Sequence, residues 1–259
     1  MSQGPFSTGS HAGAMADLAS LADLTSAEAG ARSQSVLIVP LGSTEQHGPH
    51  LPLSTDTAIA TALAERVAAR RDDVLVAPAL PYGASGEHAG FAGTLSIGQD
   101  ALELVLLELV RSAADTFARV LLLSGHGGNA EPLARSVARL RSEGRDVQSW
   151  SPVWGGDAHA GRTETSLQLA LDPALVRLDR AEAGATASLR DLLPELRRSG
   201  VRGVSRNGVL GDPAGATAAE GEELLRTGAE ALDAMLSAWP TRAVLPYALP
   251  PQPVSSGPV

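Results

Sequence analysis

Apolar positions along this chain fall into two kinds of segment, and the kinds alternate. Short continuous runs come first: Val36–Val39, then Val74–Pro78, closed by its proline, then Val120–Leu123, and a more polar Asp146–Trp150. Runs of this length, rich in Val, Leu and Ile, predict strands buried on both faces of a parallel sheet. Between them the spacing changes. Thr57–Arg71 places Ile59, Leu63 and Val67 four residues apart, Ala101–Phe117 gathers Leu102, Val105, Leu106, Leu109 and Val110 on one broad face, and another helix is expected around Leu133–Arg141. A further helix opens near Ala160 and runs to about Leu171. Ala181–Arg198 and Thr217–Trp239 also read as helices, and Val201–Leu210 as a strand and turn. Strands alternating with helices predict the α/β class with a doubly wound sheet.

The ends read differently. Residues 1–33 are rich in Gly, Ser and Ala and predict a flexible extension, with His11 solvated and one short helix around Met15–Leu24. Residues 241–259 form a proline-rich tail, which leaves a single domain over 34–240. Within that domain, Leu80–Ile97 is crowded with glycine and reads as a long surface loop, the kind that carries function. A loop so flexible needs a neighbour to pack on, so a homo-oligomer whose subunit contacts partly close the active site is expected.

Composition narrows the chemistry. Hydrophobic residues make up 44% of the 259 and aromatics only 3%, so the core is built from Ala, Val and Leu. A formal net charge of −9 without a basic block argues against a nucleic-acid partner. No apolar run reaches the roughly 18 residues that span a bilayer, and no basic-then-apolar leader opens the chain, so no membrane role and a cytoplasmic location are expected. With no cysteine, any metal must be held by His, Asp and Glu.

Such residues cluster at the predicted strand ends. The loop after the first run reads Gly-Ser-Thr-Glu-Gln-His-Gly-Pro-His-Leu-Pro, with Glu45, His47 and His50 in it and Asp56 at the entry of the next helix. An Asp there is ordinarily a helix cap; one oxygen can cap while the other faces a metal. The Leu80–Ile97 loop carries Glu87 and His88, expected to contact substrate. The third run ends in Ser-Gly-His-Gly-Gly-Asn, which raises His126 on a tight glycine turn. That turn lacks the lysine and the spacing of a phosphate loop. Gly155–Ser166 adds His159 and Glu164. A doubly wound sheet gathers such loops at one edge. Two histidines and three carboxylates there fit two divalent ions (zinc, iron or manganese) per subunit, with Asp56 placed to bridge them.

Those three motifs, in this order, resemble the creatininase family of metal-dependent amidohydrolases over roughly residues 36–235. The resemblance implies a three-layer α/β/α sandwich with a mostly parallel central sheet, a binuclear metal centre and, usually, a homo-oligomer. Glu45, His47, Asp56 and His126 stand at the family's metal-ligand positions; His159 and Glu164 stand in its third motif, associated with substrate handling and proton transfer. Two positions depart from the pattern. Creatininase proper carries a glutamate two residues after the histidine matching His126, where this chain has Gly128, and many members have Glu where it has Arg162. Creatinine is therefore not the expected substrate, and Glu164 is the nearest carboxylate to take the missing place as a metal ligand.

Within the family the chain is similar to the peptidases of mycofactocin biosynthesis, a redox-cofactor pathway, on its length, its Pro-Tyr-Gly-Ala-Ser-Gly-Glu-His loop and its Gly211–Thr217 run. That implies hydrolysis of a modified precursor peptide near its C-terminus, releasing a small Val-Tyr-derived fragment. A metal-bound hydroxide would attack the amide, with Glu164 or His159 passing the proton to the departing nitrogen. Other readings are a formamide deformylase, a cyclic-amide hydrolase, or a metal-binding protein without turnover, the last supported only by Gly128.

Overall fold

The computed structural model describes residues 19–240. Four strands, β1 (Val36–Leu41), β2 (Val74–Val76), β3 (Arg119–Ser124) and β4 (Val147–Trp150), form one sheet in the order β2-β1-β3-β4. Every pairing is parallel, with Val36 opposite Val74 and Arg119, and Val120 opposite Val147. The expected α/β class with a parallel central sheet is what the chain adopts.

Alternation along the strands sorts their side chains into two cores. Val36 and Ile38 of β1 and Leu121 and Leu123 of β3 face α2 (Thr55–Ala68), α5 (Arg162–Leu171) and α7 (Ala218–Ala238). Leu37, Val39, Leu41, Val120 and Leu122 face α3 (Gln99–Ala113) and α4 (Ala130–Ser142) on the other side. The result is a three-layer α/β/α sandwich with both sheet faces covered, which is why the strands read as unbroken apolar runs.

β1 extends two residues beyond the expected Val36–Val39, through Pro40. In a parallel strand a residue's N–H and C=O point to the same neighbour. Pro40 accepts from Leu80 N at 2.9 Å, past the end of β2 at Val76, so its missing N–H deprives no ladder of a bond. On α3 only part of the expected face is buried: Leu102, Leu106, Leu107 and Val110 are covered, while Val105 and Leu109 reach solvent.

Three expectations are corrected. The helix expected over Ala181–Arg198 is α6 (Leu189–Val204), started by Ser188, whose side chain accepts from Asp191 N, and broken at Gly200 (φ 67°). Its second half covers Val201–Val204, where a strand was expected; only Leu210 makes a bridge, antiparallel to His159. Upstream, the helix expected around Met15–Leu24 begins outside the described residues. A short turn, Leu21–Asp23, precedes α1 (Ser26–Ala31), which a Thr25–Glu28 capping box opens. Arg32 then donates to Asp72 O at 2.7 Å, tying residues of the expected 1–33 extension to the sheet. The 241–259 tail and His11 lie outside the described residues.

The third correction concerns Leu80–Ile97, which is not a loose loop. Leu95 N donates to Thr44 O at 2.8 Å, Ile97 N to Gly83 O at 3.0 Å, and Ala84 N to Asn129 Oδ1 at 3.0 Å. Composition registers the glycines but not these hydrogen bonds between distant parts of the chain.

The crossovers reverse direction between β1 and β3: the chain leaves β1 for β2 on one side and reaches β3 and β4 on the other. The ends of those two strands flank the crevice where ligands bind in such sheets. α2 starts in that crevice because two glycines admit it. A Cβ at Gly42 would collide with Thr57, and one at Gly125 with the backbone oxygen of Asp56. Gly125→Ala should therefore destabilise the fold by about 1–3 kcal/mol, the usual cost of overpacking. Gly127→Ala, with nothing within 4 Å of its added carbon, should change stability by less than ~1 kcal/mol; urea unfolding of the two variants checks the contrast.

Candidate metal centre

The loop after β1 turns tightly, with Gly48 at φ 66° and Glu45 N donating to Leu53 O at 3.1 Å. It directs Glu45 and His47 into the crevice, both fully buried. Asp56 enters from the first turn of α2. Its carboxylate does not cap the helix, as a residue in that place ordinarily would; it accepts instead from Ser43 Oγ at 2.7 Å. Its two oxygens divide between two rings, Oδ1 lying 3.1 Å from His47 Nε2 and Oδ2 3.2 Å from His126 Nδ1. Asp56 thus faces the loops of both central strands at once.

The third motif closes the other side. Ala160 adopts φ 51°, a left-handed conformation unusual for a residue with a side chain, and its N–H donates to Glu164 Oε2 at 2.5 Å. That hydrogen bond holds Glu164 facing inward, 3.8 Å from His47 Nε2. His159 donates its Nε2 proton to Gln46 O at 2.9 Å, leaving Nδ1 3.8 Å from Glu45 Oε1 and 4.0 Å from Glu164 Oε2. Arg162, the other departure from the family pattern, points away and pairs with Glu220 on α7.

Of the two residues expected to meet substrate, only Glu87 keeps appreciable solvent exposure. His88 is buried beneath it, with Nε2 3.3 Å from Glu45 Oε1 and Nδ1 2.8 Å from Gln46 Nε2. His50 is buried too and meets Thr165 Oγ1 at 2.9 Å, bracing the loop after β1 against α5. Three supporting residues went unassigned in the sequence. Ser43 fixes Asp56, Gln46 joins His88 to His159, and Asn129 ties Ala84 to Gly42. All three lie inside the motifs, but nothing in their residue type says whom they meet.

Burial and crowding set the protonation states. Burial depresses the His47 imidazole, but Asp56, then Glu164 and Glu45, overcome it and hold the pKa at about 10. His126 rises likewise to about 9 against its burial, through Asp56 and Glu45. Burial, with the neighbouring His47, lowers His88 to about 3 and His50 to about 4. His159 falls well below the usual imidazole range for the same reasons, His88 adding to them. Glu45 is pushed up to about 7, mainly by burial and then by Asp56, and Glu164 also rises through burial. Asp56 goes the other way: its burial is outweighed by His47 and His126.

Three sets of donor atoms lie close enough to hold an ion: Glu45/Asp56/His126, His47/Asp56/Glu164 and Glu45/His47/His159, each within 4.8 Å. The strongest sign of fit is Glu45, whose two carboxylate oxygens are buried without a hydrogen bond, Oε1 3.3 Å from His88 Nε2 and Oε2 3.2 Å from His126 Nε2. A buried carboxylate left so is costly unless a cation satisfies it. Carboxylate oxygens and imidazole nitrogens, with no thiolate, suit zinc, iron or manganese.

A parallel α/β sheet with a buried carboxylate–histidine cluster at its switch point has the donor set of a divalent-metal protein. The family model "Creatininase: Creatinine amidohydrolase" matches residues 22–236. The mycofactocin precursor peptide peptidase of Mycobacterium tuberculosis (strain CDC 1551 / Oshkosh) is 54% identical over 215 residues, 79% of this chain and 85% of the relative. Among solved structures, a mutant creatininase of Zn–Zn type superimposes with a TM-score of 0.71 at 29% identity, over 86% of this chain and 98% of the other. A manganese creatininase does so with a TM-score of 0.71 at 30% identity, over 86% and 99%. The chain belongs to the creatininase family, whose amidohydrolases cut amide C–N bonds.

Protonated His47 and His126 must give up their protons before their rings can bind a metal. Loading metal-free protein with zinc at neutral pH should therefore release about two protons per chain from these rings, and more as Glu45 and Glu164 ionise, read by calorimetry in buffers of different ionisation enthalpy. Binding heats independent of the buffer would contradict these protonation states.

Proposed function

We propose that this chain is a metal-dependent peptidase that cleaves the modified mycofactocin precursor peptide near its C-terminus, releasing a small Val-Tyr-derived fragment. The observation that carries the chemistry is Asp56, with one oxygen toward each histidine, beside the Glu45 carboxylate, buried without a hydrogen bond. The choice of peptide is supported by the 54% identity to the tuberculosis peptidase.

Glu45, Asp56 and His126 would hold one divalent ion, and His47, Asp56 and Glu164 a second. When bound, such ions polarise a carbonyl and make a coordinated water more acidic. The remaining work falls to the protein. His47 donates through Nδ1 to Glu45 O at 3.1 Å, which fixes the ring with Nε2 facing inward. His159, anchored on Gln46 O and depressed well below the usual imidazole range, is neutral at working pH. Its Nδ1 lone pair faces inward, 4.0 Å from Glu164 Oε2, where it could relay a proton to the departing amide nitrogen. Crowding of the loops after β1 and β3 keeps bulk water from these groups.

The reading extends to a cytoplasmic homo-oligomer. No helix of the described residues is long and apolar enough to cross a membrane. Leu95, Leu104, Val105 and Leu109 are exposed apolar side chains available to a subunit contact. A sedimentation measurement showing an active monomer would remove that part.

Turnover of the modified precursor peptide, with the fragment identified by mass spectrometry, tests the function directly. Activity on formamides or cyclic amides but not on the peptide would favour the alternative family chemistries. Asp56→Ala should lower turnover by more than the ~10–100-fold that loss of a mere supporting partner costs, and should remove both ions. Glu164→Gln should lose metal under chelator challenge as well as turnover. Full metal retention with lost turnover would make Glu164 a proton carrier instead.

A further inference from the structure

Gly128 sits two residues beyond His126, and the space beside it is taken. A Cβ there would lie 2.5 Å from His126 Nε2, and closer still to Ala84 O and to Glu87 Oε1. Its backbone is not left-handed, so conformation does not demand glycine at this place. Space does. Ala84 O, the His126 ring and the Glu87 carboxylate fill it together; Glu87 Oε1 lies 3.6 Å from His126 Nε2, which also donates to Ala84 O at 3.2 Å. Glu45 Oε2 approaches the same nitrogen at 3.2 Å, and both Glu45 oxygens are buried without a hydrogen bond. Two carboxylates converging on one imidazole repel each other unless further positive charge lies between them.

Glu87 is not on a loose tip. It lies in the turn Gly86–His88, on which α6 packs. α6 breaks at Gly200, where a Cβ would come within 2.8 Å of Glu87 O. Arg202, just past the break, donates through Nη1 to Gly90 O at 2.7 Å. The kink in α6 therefore seats the turn and presents Glu87 to the cluster. Its side chain keeps 36% exposure, so this carboxylate stands between the buried residues and solvent.

We propose that Glu87 belongs to the metal-holding set, supplying on the His126 side a carboxylate that reaches the centre only because residue 128 has no side chain. This rests on the reading of the cluster as a metal centre. It reassigns Glu87, which the sequence alone suggests as a substrate contact, and makes Gly128 the residue that permits the reassignment.

Competition between a chelator and the zinc-loaded protein tests it, with Asp56→Ala as reference and circular dichroism as the check on folding. Glu87→Ala should weaken zinc retention by more than the about 10–100-fold that loss of a supporting partner costs; a smaller loss would leave Glu87 only bracing His126 and overturn the proposal. Gly128→Ala, which presses on Ala84 O and the His126 ring as well as on the carboxylate, should lose at least as much. Should Gly128→Ala fail to fold, Glu87→Ala decides the matter. Wild-type retention in Glu87→Ala beside a loss in Asp56→Ala would overturn the role of Glu87 and leave the metal centre standing. Wild-type retention in both would overturn the metal centre and the proposal together.

Discussion

A carboxylate shared between two histidines governs this structure. Asp56 is buried, and each of its oxygens faces a ring from a different loop. Placing an anion there would cost several kcal/mol without partners. The fold meets that cost with Ser43, His47 and His126, all of which must arrive together. The start of α2, the loop after β1 and the turn after β3 are therefore one unit, and a shift in any of them leaves a buried charge exposed to the others.

The sandwich is arranged to allow that meeting. Apolar side chains of β1 and β3 alternate between two cores, which fixes both strands from both faces and leaves their C-terminal ends as the place where loops converge. Gly42 and Gly125 then let α2 begin within contact of both strand ends. The scaffold is rigid where the site is assembled. Left-handed Ala160 adds local strain, held by its N–H bond to Glu164, and strain of that kind gathers where geometry serves function.

Charge in the site is uneven in a way that suits hydrolysis. His47 and His126 lie against carboxylates and are held protonated when no metal is bound, whereas His159 and His88 are neutral imidazoles one layer away. The first pair has the surroundings of metal ligands, and the second those of groups that relay protons or brace their neighbours. Gln46 connects the second pair, its side-chain amide donating to His88 Nδ1 at 2.8 Å and its backbone O accepting from His159 Nε2 at 2.9 Å. Family membership and this distribution of charge point to the same chemistry, the cutting of an amide bond at a metal centre.

Much of this was written in the order of residues. Continuous apolar runs separated by amphipathic stretches determined a parallel α/β sandwich, because strands buried on both faces have no polar side to show. Glu45, His47, Asp56 and His126 stood out as candidates because each lies at a strand end or a helix start, whereas His159 and Glu164 became candidates through the resemblance of the third motif. Tertiary structure decided the rest. It turned Leu80–Ile97 from a loose loop into a pinned wall through hydrogen bonds to Thr44, Gln46 and Asn129, partners up to dozens of residues away. It also made Val201–Val204 the end of a kinked helix, because Gly200 bends α6 onto the turn that carries Glu87. Above all it put the Glu87 carboxylate beside Gly128. Spacing along a chain can say that a side chain is missing, but only packing in space says which other residue has moved into its place.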